Sequence, residues 1–278
     1  MRFQLRGNFA PADRAFAGVT PLSAGRRHPG TEMIAEEIEI RMHDGTAGAV
    51  LYCQENGARR PGVIHLTDIG GIRSAQRAMA GRLAEEGYTV LIPNLFYRTD
   101  RPPLIDFDWR ADADRAKKRF AELMERLTPE AMERDAGDYV DFLASHISTS
   151  EGPMGVVGYC FSGAMSLRTA AARPAKIAAA ASFHGGRLYS DTDASPHLAL
   201  PRVKARLYFG HAVDDRTMPA EAIAKLDRAL QEWGGNYESE VYDGAYHSWT
   251  VPDSPVYNQP QAERAYRKLT ELLASTLK

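Results

Sequence analysis

Met154-Gly155-Val156-Val157-Gly158-Tyr159-Cys160-Phe161-Ser162-Gly163 runs from a short apolar strand, through a tight turn, into small residues that open a helix. Residues 154–157 have the length and apolar character of a buried strand, and Gly158 and Gly163 remove side chains where the chain reverses. Cys160 stands at the tip of that turn. In an elbow of the Gly-x-nucleophile-x-Gly kind, this position exposes the side chain beside the free N–H groups of the following helix. A lone cysteine is commonly a buried structural residue. Here the strand–turn position, the flanking glycines and the helix start favour a nucleophile whose thiolate the helix N-terminus stabilises.

Outward from the elbow, strands and helices alternate. Residues 34–41 alternate in polarity and read as a strand, with 47–52 as the hairpin partner across an Asp44-Gly45 turn. Residues 62–66 and 88–92 read as strands around a helix over 74–86 that Gly87 closes. A polar loop over 94–103 leads to helices over 109–126 and 129–145. Behind the elbow come a helix over 163–172, a small-residue strand over 178–183, and a long loop over 184–200. A strand over 205–209, a helix over 219–233, a strand over 237–242 and a helix over 261–277 complete the chain. This order predicts an α/β fold with a mostly parallel central sheet and helices on both faces. Residues 33–278 are expected to form one catalytic domain, and residues 1–32, rich in Arg, Ala, Pro and Gly, an N-terminal extension.

Composition narrows the function classes. The 278 residues are 44% hydrophobic and 25% charged, and 34 basic against 36 acidic residues give a net charge of −2. Neither sign runs in a block, so neither a nucleic-acid nor a membrane-surface partner is indicated. No apolar run approaches the ~20 residues that span a bilayer. Cys53 and Cys160 are the only cysteines, too few for a disulfide framework or a cysteine zinc site, and suited to a reducing compartment. The first residues lack the apolar segment of a secretory signal, and Arg26-Arg27 is followed by His28-Pro29-Gly30 rather than an apolar run. A cytoplasmic enzyme acting on a small molecule is expected, with no cofactor and no metal, and monomer and dimer both open.

In such sheets ligands bind beyond the carboxyl ends of the strands. The loop after strand 205–209 carries Asp214-Asp215, a pair suited to capping the next helix or to orienting a histidine, and Asp215 is favoured as the acid. His247 follows the last strand in a turn-rich segment. The chain order of nucleophile, acid and base, Cys160, Asp215 and His247, is that of the α/β-hydrolase fold. The loop Thr67-Asp68-Ile69-Gly70-Gly71 then occupies the place that donates one oxyanion-hole N–H, from Ile69, with Phe161 donating the other. As a phosphate-binding loop it lacks the required glycine spacing.

These residues resemble the dienelactone hydrolases (carboxymethylenebutenolidases), α/β-hydrolases with a Cys-Asp-His triad, over about residues 34–277. Gly158-Tyr159-Cys160 is similar to the family's elbow, Asp215 with Met218-Pro219 to its acid loop, and Ala245-Tyr246-His247-Ser248 to its histidine loop. The resemblance implies that Asp68 holds the resting thiol and that Arg98, in Asn94-Leu95-Phe96-Tyr97-Arg98, contacts a substrate carboxylate. The chain departs from the family pattern at Ser162, where the elbow usually has Gly, at Asp68 in place of Glu, and at Val251 in place of a second substrate-binding Arg. These departures loosen the link to the dienelactone itself and leave the triad intact. Phe96, Tyr97, Trp109 and Trp249 are candidates to line an apolar pocket, with ordinary core packing the alternative.

A thiol nucleophile also constrains the substrate. Thiolate leaves a tetrahedral intermediate more readily than an alkoxide, so simple alkyl esters fall back to reactant. Activated esters and enol lactones go forward because their departing oxygen is stabilised. Two alternatives stay open: another activated ester or thioester hydrolase on the same triad, and a non-catalytic ligand-binding or thiol-sensing relative. Retention of Asp215 and His247 argues against the sensor, which needs neither.

Overall fold

Strand register brings the functional loops together. A computed structural model describes residues 33–278, so the extension expected over 1–32 lies outside the described residues. Eight strands form one sheet: β1 (Met33–Met42), β2 (Gly45–Gln54), β3 (Gly62–Leu66), β4 (Thr89–Pro93), β5 (Met154–Tyr159), β6 (Ile177–Phe183), β7 (Arg206–Ala212) and β8 (Tyr237–Tyr242). Their spatial order is β1-β2-β4-β3-β5-β6-β7-β8. The β1–β2 and β2–β4 pairs are antiparallel and every later pair is parallel. After β3 the chain steps outward to β4, then crosses back to place β5 on the other side of β3. That reversal puts a crevice beyond the carboxyl ends of β3 and β5, where Leu66 pairs with Gly158.

Both faces are covered by helices. Helices α1 (Ser74–Glu85) and α6 (Gln259–Leu277) pack on one face, through Leu83, Leu269 and Leu273 against Val63, Val90 and Val157. On the other face lie α2 (Ala113–Glu125), α3 (Pro129–Ser145), α4 (Ser162–Ala172) and α5 (Ala220–Trp233), burying Leu143, Met165 and Leu226 against Ile64, Val156 and Leu207. Strands β3, β4 and β5 are buried along their whole length, which explains their near-continuous apolar sequences. No helix among the described residues is long and apolar enough to cross a membrane.

Several boundaries differ from the sequence expectation for local reasons. Met42 pairs with Gly45, so the hairpin turn is His43-Asp44, one residue earlier than expected. The helix expected from residue 109 starts at Ala113, because the Asp112 carboxylate caps it by accepting the Arg115 N–H at 3.0 Å. The loop over 184–200 contains the start of a 3₁₀ turn, Pro196–Arg202. Strand β7 runs on to Ala212 because β8 pairs with it as far as Tyr242, which draws His211 into the sheet.

Leu273 is fully buried at the contact of α6 with the sheet. Leu273→Ala should cost about 2–5 kcal/mol in urea unfolding, the range for deleting a buried leucine. A change within about 0.5 kcal/mol, typical of a surface position, contradicts that packing.

Candidate active site

The elbow is a backbone device before it is a chemical one. Cys160 has φ 61, in the left-handed region that non-glycine residues avoid. Its neighbours make the turn possible by being small. A Cβ on Gly158 would run into the Ser162 carbonyl, and one on Gly163 into the Ser182 hydroxyl and the Gly185 main chain. Ser162, the residue that departs from the family's glycine, is fully buried and accepts the Tyr159 N–H at 2.8 Å. The same hydroxyl lies 2.9 Å from the carbonyls of Leu66 and Tyr159, tying the elbow to the end of β3. The Cys160 carbonyl accepts from Gly163 and Gly186 N–H groups at 3.0 and 3.2 Å. Cys160 itself is only partly buried, and Cys53 is buried.

Asp215 and His247 come from the loops after β7 and β8 and meet directly. His247 Nδ1 lies 2.7 Å from Asp215 Oδ2. The other carboxylate oxygen of Asp215 accepts the Thr217 N–H at 2.8 Å and its hydroxyl at 2.7 Å. Burial works against the charge on Asp215, but the hydrogen bonds from His247 and Thr217 outweigh it and hold its pKa down at about 2. Burial likewise opposes the imidazolium, yet hydrogen bonds to Asp215 and Cys160 push His247 up to about 10. The three residues expected from chain order are thereby brought to one place.

The N–H groups of Ile69 and Phe161 donate to no other group among the described residues. Ile69 sits on the loop leaving β3, directly beside the elbow by virtue of the Leu66–Ser162 link. Phe161 begins the turn into α4 and packs its ring on Phe96 at 5.5 Å. Free main-chain donors of this kind are what an oxyanion hole requires.

Other residues expected near the site are placed differently. Asp68 meets Arg73, not the thiol: its oxygens lie 2.5 and 2.8 Å from the guanidinium. Arg73 also donates to both oxygens of Asp253 at 2.7 and 3.0 Å, so this cation joins the loop after β3 to the loop after β8. Arg98 is held by Asp135, both contacts 2.7 Å, and by Asp44 at 2.7 and 3.0 Å. Tyr97 donates to the same Asp135 at 3.0 Å. Arg98 and Tyr97 thus bolt the β1–β2 turn and the loop after β4 onto α3. Trp249 is fully buried, with its ring 4.9 Å from Tyr242 and 5.1 Å from His184, so it packs beneath the site. Val251 is fully buried too, and Trp109 lies partly exposed against Phe120.

Two residues beside the elbow were not singled out from sequence. His184, the first residue after β6, lies 3.0 Å through Nδ1 from the Cys160 N–H, and Thr250 lies 2.8 Å from its other ring nitrogen. The rule that pointed to the other strand ends applies equally to His184, whose neighbours Gly185-Gly186 mark a close approach. Among the described residues no group of three or more His, Cys, Asp and Glu side chains is arranged to hold a metal.

The family model described as "Dienelactone hydrolase family" matches residues 48–277. A carboxymethylenebutenolidase of Rhodococcus opacus is 31% identical over 206 residues, covering 69% of this chain and 73% of the relative. One of Pseudomonas putida is 25% identical over 244 residues, covering 87% and 97%. Among solved structures, a dienelactone hydrolase-like promiscuous phosphotriesterase from metagenomic libraries is 19% identical with a TM-score of 0.71, covering 90% of this chain and 100% of that one. A dienelactone hydrolase from Anabaena variabilis is 22% identical with a TM-score of 0.57, covering 88% and 99%. At these identities the structural likeness speaks to the fold.

Two outcomes follow from the charges. The raised pKa of His247 stabilises the fold fully below the ordinary histidine value, ~6.5, and that stability is lost as pH rises through about 10. The lowered pKa of Asp215 stabilises it above the ordinary carboxylate value, ~4, and is lost as pH falls through about 2. Thermal midpoints should therefore fall on both sides of the pH 4–6.5 window, and Asp215→Asn should flatten both slopes; unchanged slopes in the variant contradict the coupling. Arg98→Ala should cost about 3–5 kcal/mol of stability by leaving fully buried Asp135 without its cation. A loss under about 1 kcal/mol would place that pair among ordinary surface bridges.

Proposed function

The chain belongs to the dienelactone hydrolase family, and from that premise we propose that it cleaves activated esters or enol lactones through an acyl-enzyme on Cys160. The observation that carries this reading is a left-handed elbow cysteine and a carboxylate-held histidine placed about one buried ring, His184, whose Nδ1 is 3.0 Å from the Cys160 N–H and whose ring centroid is 5.2 Å from that of His247. His247 donates a hydrogen bond from Nδ1–H to the Asp215 carboxylate, which stays ionised, and this leaves Nε2 to take the thiol proton of Cys160. The thiolate attacks the carbonyl carbon, and the oxygen it charges is received by the N–H groups of Ile69 and Phe161. Each such donor is typically worth ~3 kcal/mol. The carbon–oxygen bond then breaks, and the departing enolate or aryloxide takes the proton from His247. Water, losing a proton to His247, attacks the thioester, and the thiolate leaves.

Substrate charge is a separate question from the chemistry. Arg98 is matched by Asp44 and Asp135, and Arg73 by Asp68 and Asp253. Each guanidinium already faces two carboxylates, and Val251 stands where a second arginine would be expected. This supports an uncharged activated ester or lactone over a substrate that must be gripped by its own carboxylate.

Cys160→Ala should lower kcat/KM on an aryl acetate and on an enol lactone by at least about 10³-fold, as nucleophile removal does elsewhere. Wild-type turnover in that variant contradicts the assignment. Arg98→Ala should leave the ratio of rates on anionic and neutral esters unchanged; a selective loss on the anionic ester restores a carboxylate-binding role.

A further inference from the structure

We propose that His184 is a positioning residue that locks the main chain of the nucleophile and the histidine loop into one register. The inference rests on the proposed role of Cys160 as nucleophile. His184 follows the last residue of β6, is fully buried, and has φ 41, a backbone state that few residue types other than glycine, Asn, Asp and His adopt readily. Its Nδ1 lies 3.0 Å from the Cys160 N–H, which is also 3.2 Å from the Phe183 carbonyl. Its Nε2 lies 2.8 Å from the Thr250 hydroxyl, on the loop that carries His247 three residues earlier. The ring stands edge-on to His247 at 5.2 Å and to Trp249 at 5.1 Å.

These contacts fix one tautomer. A main-chain N–H can only donate, so Nδ1 must accept, and the single ring proton sits on Nε2, facing Thr250. Burial, with His247 adjacent, holds the His184 pKa well below the usual histidine range, so the ring stays neutral. A protonated ring would aim an N–H at the Cys160 N–H and set a second cation against His247. With both nitrogens engaged and no exposed surface, His184 cannot exchange a proton with substrate. Its effect passes through the residues it holds.

The same loop grips Cys160 from the other side, because the Gly186 N–H donates to the Cys160 carbonyl at 3.2 Å. Both peptide groups of the strained residue are thus fastened to the segment 184–186. The Thr250 link extends that hold to the loop of His247.

The test uses His184→Ala, His184→Asn and Thr250→Val in the full chain. Three readouts are the kcat and KM on an aryl acetate, the rate of Cys160 alkylation by iodoacetamide mapped by peptide mass, and the thermal midpoint. His184→Ala should lower kcat and the alkylation rate about tenfold or more, the scale of a small misplacement of reacting groups, with KM within about twofold. His184→Asn, whose side-chain oxygen can accept the Cys160 N–H and which tolerates the left-handed backbone, should recover the larger part of both losses. Thr250→Val should fall between. Wild-type kcat and alkylation in folded His184→Ala, or equal losses in the Ala and Asn variants, overturns the proposal. If His184→Ala does not fold, wild-type alkylation in Thr250→Val overturns it. If wild type hydrolyses no ester while alkylation still follows this series, the positioning role stands and the acyl-enzyme reading falls.

Discussion

The left-handed turn at Cys160 is the constraint on which the rest of the site depends. A cysteine at φ 61 holds that conformation only because surrounding groups over-determine it. Gly158 and Gly163 supply the space, and the Ser162 hydroxyl fastens the turn to the Leu66 carbonyl. Gly186 and His184 fasten the two peptide groups of Cys160 itself. The consequences run outward: the sulfur leaves the sheet, α4 begins directly behind it, and the loop after β3 is drawn alongside. Ser162 shows why a departure from a family pattern can be structural. It adds hydrogen bonds to a turn in which glycine would only add freedom.

Around this turn the fold pairs the buried carboxylates of Asp215, Asp68 and Asp135 with basic side chains. Asp215 is matched to His247, Asp68 and Asp253 share Arg73, and Asp135 and Asp44 share Arg98. The first pair fixes the imidazole through Nδ1 and, in the proposed reaction, leaves Nε2 for the thiol. The other two are mechanical: they join the loops after β3 and β8 to each other, and the loop after β4 to α3. Breaking such a pair leaves a charge stranded away from water, so these bridges resist rearrangement in a way that surface bridges do not.

The elbow was legible in the sequence because it is local: strand, turn residues and helix start lie within ten positions. The meeting of Asp215 with His247 was legible because strand ends in a parallel sheet converge on one edge, so order along the chain carries spatial information. Arg98, Tyr97 and Asp68 were readable as polar residues of the right loops, but their contacts were not. The partner that decides Arg98 is Asp135, 37 residues away on a helix, and nothing local to Arg98 announces it. Trp249 sits next to a functional loop yet points into the core, a distinction that only packing makes. His184 escaped notice because its partners, Cys160 and Thr250, lie 24 and 66 residues away. Its one local sign was the pair of glycines that follow it.

A thiol at the elbow has a chemical consequence that a hydroxyl lacks. The acyl-enzyme proposed on Cys160 is a thioester, and such an intermediate accumulates when a good leaving group makes its formation faster than its hydrolysis. Intact-mass spectrometry of the protein, quenched in acid during turnover of a slowly deacylating aryl ester, tests this most directly. The account predicts one added acyl group, mapped to the peptide carrying Cys160 and absent from Cys160→Ala. Full turnover by Cys160→Ala, or an acyl group carried on a different residue, contradicts it.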